Sequence, residues 1–226
     1  NCEMKNQLIR NAGWAAYLSG ITALLSFAAY IAFLVFDLPQ TMRSGNISQQ
    51  TLTGDLIGLF QALSALFMIP IALSLHQRVH PRAASASRVA TLIGIVGMSV
   101  LIGFSVLILL RVMTEPQSGM QTAVAFAAIG VWLVIANNFS RENTLPARLA
   151  WLGIIIGAAY VFFAIVFWVS GAANVESSAA LQSNSFFLIG YAALSLSSFI
   201  LYPIWALWLG RVLQSQSQGN VLPKPS

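Results

Sequence analysis

The chain has one cysteine in 226 residues, Cys2. It therefore has no second thiol with which to close a disulfide or complete a cysteine-based zinc or iron–sulfur site. Histidine is nearly as scarce, with only His76 and His80. Charged residues make up 8% of the chain, far below the roughly 25% of soluble domains. No basic cluster with interleaved aromatics is present, which argues against nucleic acid as a partner. The sequence also lacks a GxSxG nucleophile motif and any glycine pattern of a phosphate-cradling loop.

What fills the space is apolar. The chain is 58% hydrophobic, with a mean hydropathy of +0.78. A membrane-crossing helix needs about 20 mainly apolar residues, and six segments meet or approach that length: 14–36, 56–75, 89–110, 122–139, 149–170 and 186–209. These predict an all-α, polytopic membrane domain over residues 1–213, followed by a polar tail, 214–226, expected to be disordered. The first apolar run lacks the short core and small-residue cleavage site of a signal peptide, and is expected to be a retained helix.

The basic residues are distributed unevenly among the connections. One side collects nine Lys and Arg, including Arg78, Arg82, Arg88 and Arg211, and the other only Arg43 and Arg111. By the positive-inside rule both termini are expected in the cytoplasm, with those four arginines as interfacial anchors. Short connections predict three antiparallel hairpins. The long outer loop, Asp37 to Asp55, reads as irregular and carries an acceptor sequon at Asn46.

Two of the spans resemble each other. "MIPIALSLHQRVH" (68–80) lies over "LYPIWALWLGRVL" (201–213), matching Pro70 to Pro203, Ile71 to Ile204, Arg78 to Arg211 and Val79 to Val212. The correspondence reads as a diverged repeat of the first hairpin in the third, against the coincidence that low-complexity apolar sequence allows. Each proline removes a helical hydrogen bond and predicts a kink, with Ser64, Ser197 and Ser198 as candidates to satisfy the freed carbonyls. The histidines fall on Leu209 and Leu213 in this alignment, outside the shared pattern. They have the i, i+4 spacing of a metal pair but no third ligand nearby. The reading is interfacial histidines and no metal or cofactor.

No Asp, Glu, Lys or Arg falls inside the expected spans, which argues against proton relays, ion pumps and buried acid–base catalysis. The polar groups left at membrane depth are neutral. Gln61, Ser64 and Tyr202, on the two proline-bearing helices, are the candidates to line a ligand cavity. Gly153 and Gly157, Gly94, and Ser99 with Gly103 give small-residue spacings for close helix packing. Trp14, Trp151, Trp205 and Trp208 are expected as interfacial belt anchors.

The closing "LYPIWALWLGRVL", an arginine ahead of the first span and six spans without a soluble domain resemble an uncharacterised family of bacterial six-helix integral membrane proteins, a domain of unknown function. The resemblance covers about residues 8–213 and rests chiefly on the Pro-Ile-Trp and Leu-Gly-Arg of that helix. It implies an architecture and a bacterial inner-membrane location, with no catalytic residues. The functional expectation is a non-enzymatic accessory or structural subunit, partnered by the bilayer and by other membrane subunits or a second copy. The alternative is a carrier or binder of a lipid-like or small apolar ligand between the second and sixth helices.

Overall fold

The computed structural model describes residues 2–39, 51–113, 115–141, 145–172 and 184–219. Among them no strand occurs, and the elements run α1 (Cys2–Ala32), a π-helical turn (Phe33–Asp37), α2 (Leu52–Leu109), α3 (Glu115–Ser140), α4 (Ala147–Val169), α5 (Ser185–Leu196), a second π-helical segment (Ser197–Leu201) and α6 (Tyr202–Gly219). Long apolar runs become helices because hydrocarbon offers the backbone no hydrogen bonds, and a helix satisfies its own.

Six helical stretches are long and apolar enough to cross a membrane: Gln7–Asp37, Leu52–Arg78, Ser85–Leu109, Met120–Ser140, Ala147–Val169 and Ser185–Ser217. We number these spans one to six. Their positions agree with the expected apolar segments, and the helices extend further at most ends. At the C-terminal side, α6 continues to Gly219. Residues 214–219 are therefore helical and not the start of a disordered tail. Two of the polar side chains here reach other helices: Gln214 Nε2 donates to the Arg10 carbonyl at 3.0 Å, and Arg78 Nη1 donates to Gln216 Oε1 at 2.5 Å.

Local chemistry sets the helix ends. Thr51 caps α2 by accepting from Gly54 N at 3.2 Å, with Asp55 in the first turn where the helix dipole favours an anion. Asn184 caps α5 by accepting from Phe186 N and Phe187 N, each at 3.1 Å. Gly171 follows α4 at φ +72°, the left-handed turn that glycine adopts without strain. Arg111 takes the equivalent place after α2 at φ +61°, and its guanidinium bonds Asp55 at 2.6 Å. The ion pair ties the far ends of spans two and three together, with the arginine side chain about half exposed.

The connection between spans two and three departs from expectation. It is helical throughout, inside α2. Yet His76 Nδ1 lies 2.8 Å from Ser87 Oγ, whereas eleven residues of straight helix rise about 16.5 Å. The axis therefore turns back between them, in a stretch holding Pro81, which has no N–H to donate.

Spans pack in a ring. Span one lies against spans two and six, span four against three and five, and span five against six. Small residues set the tightest approaches. A Cβ on Gly130 would sit 2.6 Å from the Gly157 carbonyl oxygen, and one on Gly157 would sit 2.6 Å from that of Gly130. Gly94 faces Trp132, and Gly153 faces Asn137. Ser99 and Gly103 behave differently: both are exposed on span three, and a Cβ on Gly103 would meet open space. Among the described residues, a side chain at Gly103 would meet no other span.

Tryptophan placement also divides. Trp14, Trp151 and Trp208 are exposed at 60%, 49% and 37%, whereas Trp205 is fully buried. Trp205 is a core residue and not the expected belt anchor, because its face of α6 turns inward. Arg141 stacks over Trp151 at 5.0 Å, a cation–π contact at the basic end. Arg88 and Arg211 are exposed there, Arg78 is half-buried against α6, and the Arg82 side chain lies outside the described residues. So do the His80 side chain and the Asn46 sequon.

Candidate functional site

The ring surrounds a cavity of about 40 Å³ part-way along the spans. Every span contributes to its wall: Ser26 from the first, Gln61, Ser64 and Met68 from the second, Leu101 from the third, Phe126 and Ile129 from the fourth, Tyr160 from the fifth, and Ser198, Phe199 and Tyr202 from the sixth. No lining residue is charged.

Three hydroxyl groups hold one side of this space. Ser19 Oγ donates to the Ser64 carbonyl at 2.9 Å, and Ser64 Oγ returns a bond to the Ser19 carbonyl at 3.2 Å. The two hydroxyls lie 3.1 Å apart, and the Tyr202 hydroxyl joins them through Ser19. Spans one, two and six are thereby fastened at one buried node. Across the cavity, Ser198 Oγ donates to Tyr160 Oη at 3.2 Å, joining spans five and six.

The π-helical segment Ser197–Leu201 explains how one helix serves both clusters. The Tyr202 N–H reaches back to the Ser197 carbonyl, five residues away. The wider turn alters the angular spacing of α5 and α6, placing Ser198, Phe199 and Tyr202 on the cavity wall. Pro203 follows at once and has no N–H, so the carbonyl four residues before it loses its usual donor. Pro70 differs, being half-buried within the uninterrupted helix α2. The serines expected to compensate the prolines bond elsewhere: Ser64 to span one and Ser198 to span five.

Gln61 is the exception within this network. Its carboxamide has two donors and an acceptor, lines the cavity, and makes no hydrogen bond to the described protein. Of the polar side chains lining the cavity, it is the one left available among the described residues.

The chain matches no family model, no curated protein and no solved structure. Geometry and chemistry alone therefore carry the functional reading.

Size limits the occupant. A water molecule needs about 10–15 Å³ of such space, so the cavity holds about three waters or a solute of similar bulk. A lipid chain needs a pocket of several hundred Å³ and does not fit. The histidines lie elsewhere, with His76 held by Ser87 at the basic end. Among the described residues no group of three or more His, Cys, Asp or Glu is placed to hold a metal ion.

The sequence pointed to Gln61, Ser64 and Tyr202, and all three line this cavity. It did not single out Ser19, Ser26 or Phe126. A signal for Ser19 does exist: Ala12, Ala16, Ser19, Ala23 and Ser26 repeat at intervals of three and four along span one, the spacing of a single helical face.

Proposed function

We propose that the chain is a non-enzymatic, multi-pass membrane protein that binds a small, neutral, hydrogen-bonding solute within its ring of spans. The observation that carries this reading is the unpartnered carboxamide of Gln61 in a cavity walled by neutral hydroxyls and aromatic rings. A polar group at membrane depth without a partner is expensive, and a ligand offering both a donor and an acceptor removes that cost. An ion is disfavoured, because no opposite charge in the lining offsets its dehydration. The ligand class narrows the earlier expectation from a lipid-like molecule to a solute of about three or four non-hydrogen atoms, on the volume argument above.

The setting we propose is a bacterial inner membrane with both termini in the cytoplasm, supported by the Lys and Arg bias. Three antiparallel hairpins fit the packing of neighbouring spans, and the Pro-Ile and Arg-Val correspondence supports a duplication of the first hairpin in the third. The family resemblance stands as part of this proposal.

Urea is a suitable probe. With isotope-labelled urea and protein in liposomes, cross-polarisation NMR should detect an immobilised urea population that weakens about tenfold in Gln61→Leu, equivalent to about 1.4 kcal/mol. Wild-type protein without such a population, or Gln61→Leu retaining it, would sink the proposal.

A second reading, an accessory subunit, is favoured by Ser99 and Gly103. They interrupt a lipid-facing row of bulky residues that includes Leu92, Val96, Val106 and Leu110. Small residues there permit close approach of another helix. Purification in mild detergent should then bring down a stoichiometric membrane partner or second copy, and a lone monomer would count against it.

A further inference from the structure

Between the cavity and the basic end, the bundle buries polar atoms for which the protein supplies no partner. They include Trp132 Nε1, Trp205 Nε1, Asn137 Oδ1 and Ser74 Oγ. All four residues are at most 1% exposed. Among the described residues, the end of the bundle that holds Asp37 and Asp55 has no such atom.

Their placement is ordered. Spans two, four and six all run from the cavity toward the basic end, and these residues lie on those three spans. Trp132 follows the cavity residue Ile129 by three positions, and Trp205 follows Tyr202 by three. Each indole is thus about one turn below the cavity on a neighbouring face. Side chains on a helix lean toward its N-terminus, which here means toward the cavity. Ser74 and Asn137 come four residues before Arg78 and Arg141, close to the basic surface. These four offer two N–H donors, one acceptor and one hydroxyl, all neutral, and Arg78 Nε is a further such atom where the path meets the basic surface.

If this region were dry, each orphaned group would carry the cost of its lost hydration. Four such costs confined to one half of a bundle are better explained by water than by error in packing, since buried water is the usual partner of such groups. We propose that a file of water molecules runs from the cavity to the basic face past Trp205, Trp132, Ser74 and Asn137. This file is the route by which water and small neutral solutes reach the cavity. The two indoles form its narrow part. The neutral stretch past the indoles makes it poor for ions, and the Arg78 guanidinium at the basic end repels cations.

This inference rests on the cavity being a solute site, but its test is independent of whether urea binds. Protein with isotope-labelled tryptophan, in lipid nanodiscs, is moved into heavy water, and indole N–H signals are followed by NMR. Trp132→Phe and Trp205→Phe assign the two buried signals. Both indoles should exchange at least about 100-fold faster than the backbone amides of Ile129 and Leu133, whose helical bonds protect them. Asn137→Leu should slow the Trp132 indole by about tenfold by breaking the file, on the same scale of protection. Either indole keeping its proton as long as those amides would overturn the proposal. Absent urea binding with fast indole exchange would instead remove the cavity reading and leave the water file standing.

Discussion

Gly130→Val and Gly157→Val should each destabilise the protein by about 3 kcal/mol, at the upper end of what overpacking costs. The reason is the identity of the clashing atom. A side chain at either glycine meets the other's carbonyl oxygen at 2.6 Å, and a backbone carbonyl cannot rotate aside as a leucine or glutamine tip can. Spans four and five must therefore separate, which also disturbs the cavity wall formed by Ile129 and Tyr160. Gly103→Val is the matched comparison. It adds the same side chain to another apolar span, but in open space, and should change stability by less than about 0.5 kcal/mol. Unfolding in detergent micelles measures all three. Equal losses at the three sites would show that the cost is a general response to valine and not to helix contact.

Trp205→Ala should cost about 3–5 kcal/mol, the range for removing a large aromatic from a core, whereas Trp208→Ala should cost under about 1 kcal/mol. The two tryptophans stand three residues apart in α6, one fully buried and the other 37% exposed. Trp205 packs beside Tyr202 with ring centroids 5.9 Å apart, so its loss also loosens the residue that reaches Ser19. Comparable thermal stability of the two alanine variants would place both rings in the same surroundings and refute the inward assignment.

These two comparisons mark where the sequence ceases to be informative. Uninterrupted apolar runs gave the positions of the spans, because length and hydropathy alone decide whether a helix can cross hydrocarbon. Facing is another matter. A helix that is apolar all round carries no contrast between an inward and an outward side, so Trp205 and Trp208 read alike, as did Gly157 and Gly103. Gln61 and Tyr202 stood out only because they are polar within apolar helices. Ser19 had no such prominence among the small residues of span one, and Phe126 none among the aromatics. The helical passage through residues 79–84 was hidden as well: its proline and arginine have the composition of a loop. Nor does a residue pattern announce the π-helical segment at Ser197–Leu201, which depends on how span six settles against its neighbours.

The node of Ser19, Ser64 and Tyr202 has a consequence for biosynthesis. Its two outer members are 183 residues apart in the chain, on spans one and six. During synthesis Ser19 and Ser64 can meet as soon as span two is inserted, and their reciprocal bonds give the growing chain an early, stable seam. Tyr202 can join only after the other five spans are in place. Until then the wall that Ser198, Phe199 and Tyr202 give the cavity is missing. Arrival of the sixth span is thus what completes both the node and the cavity wall.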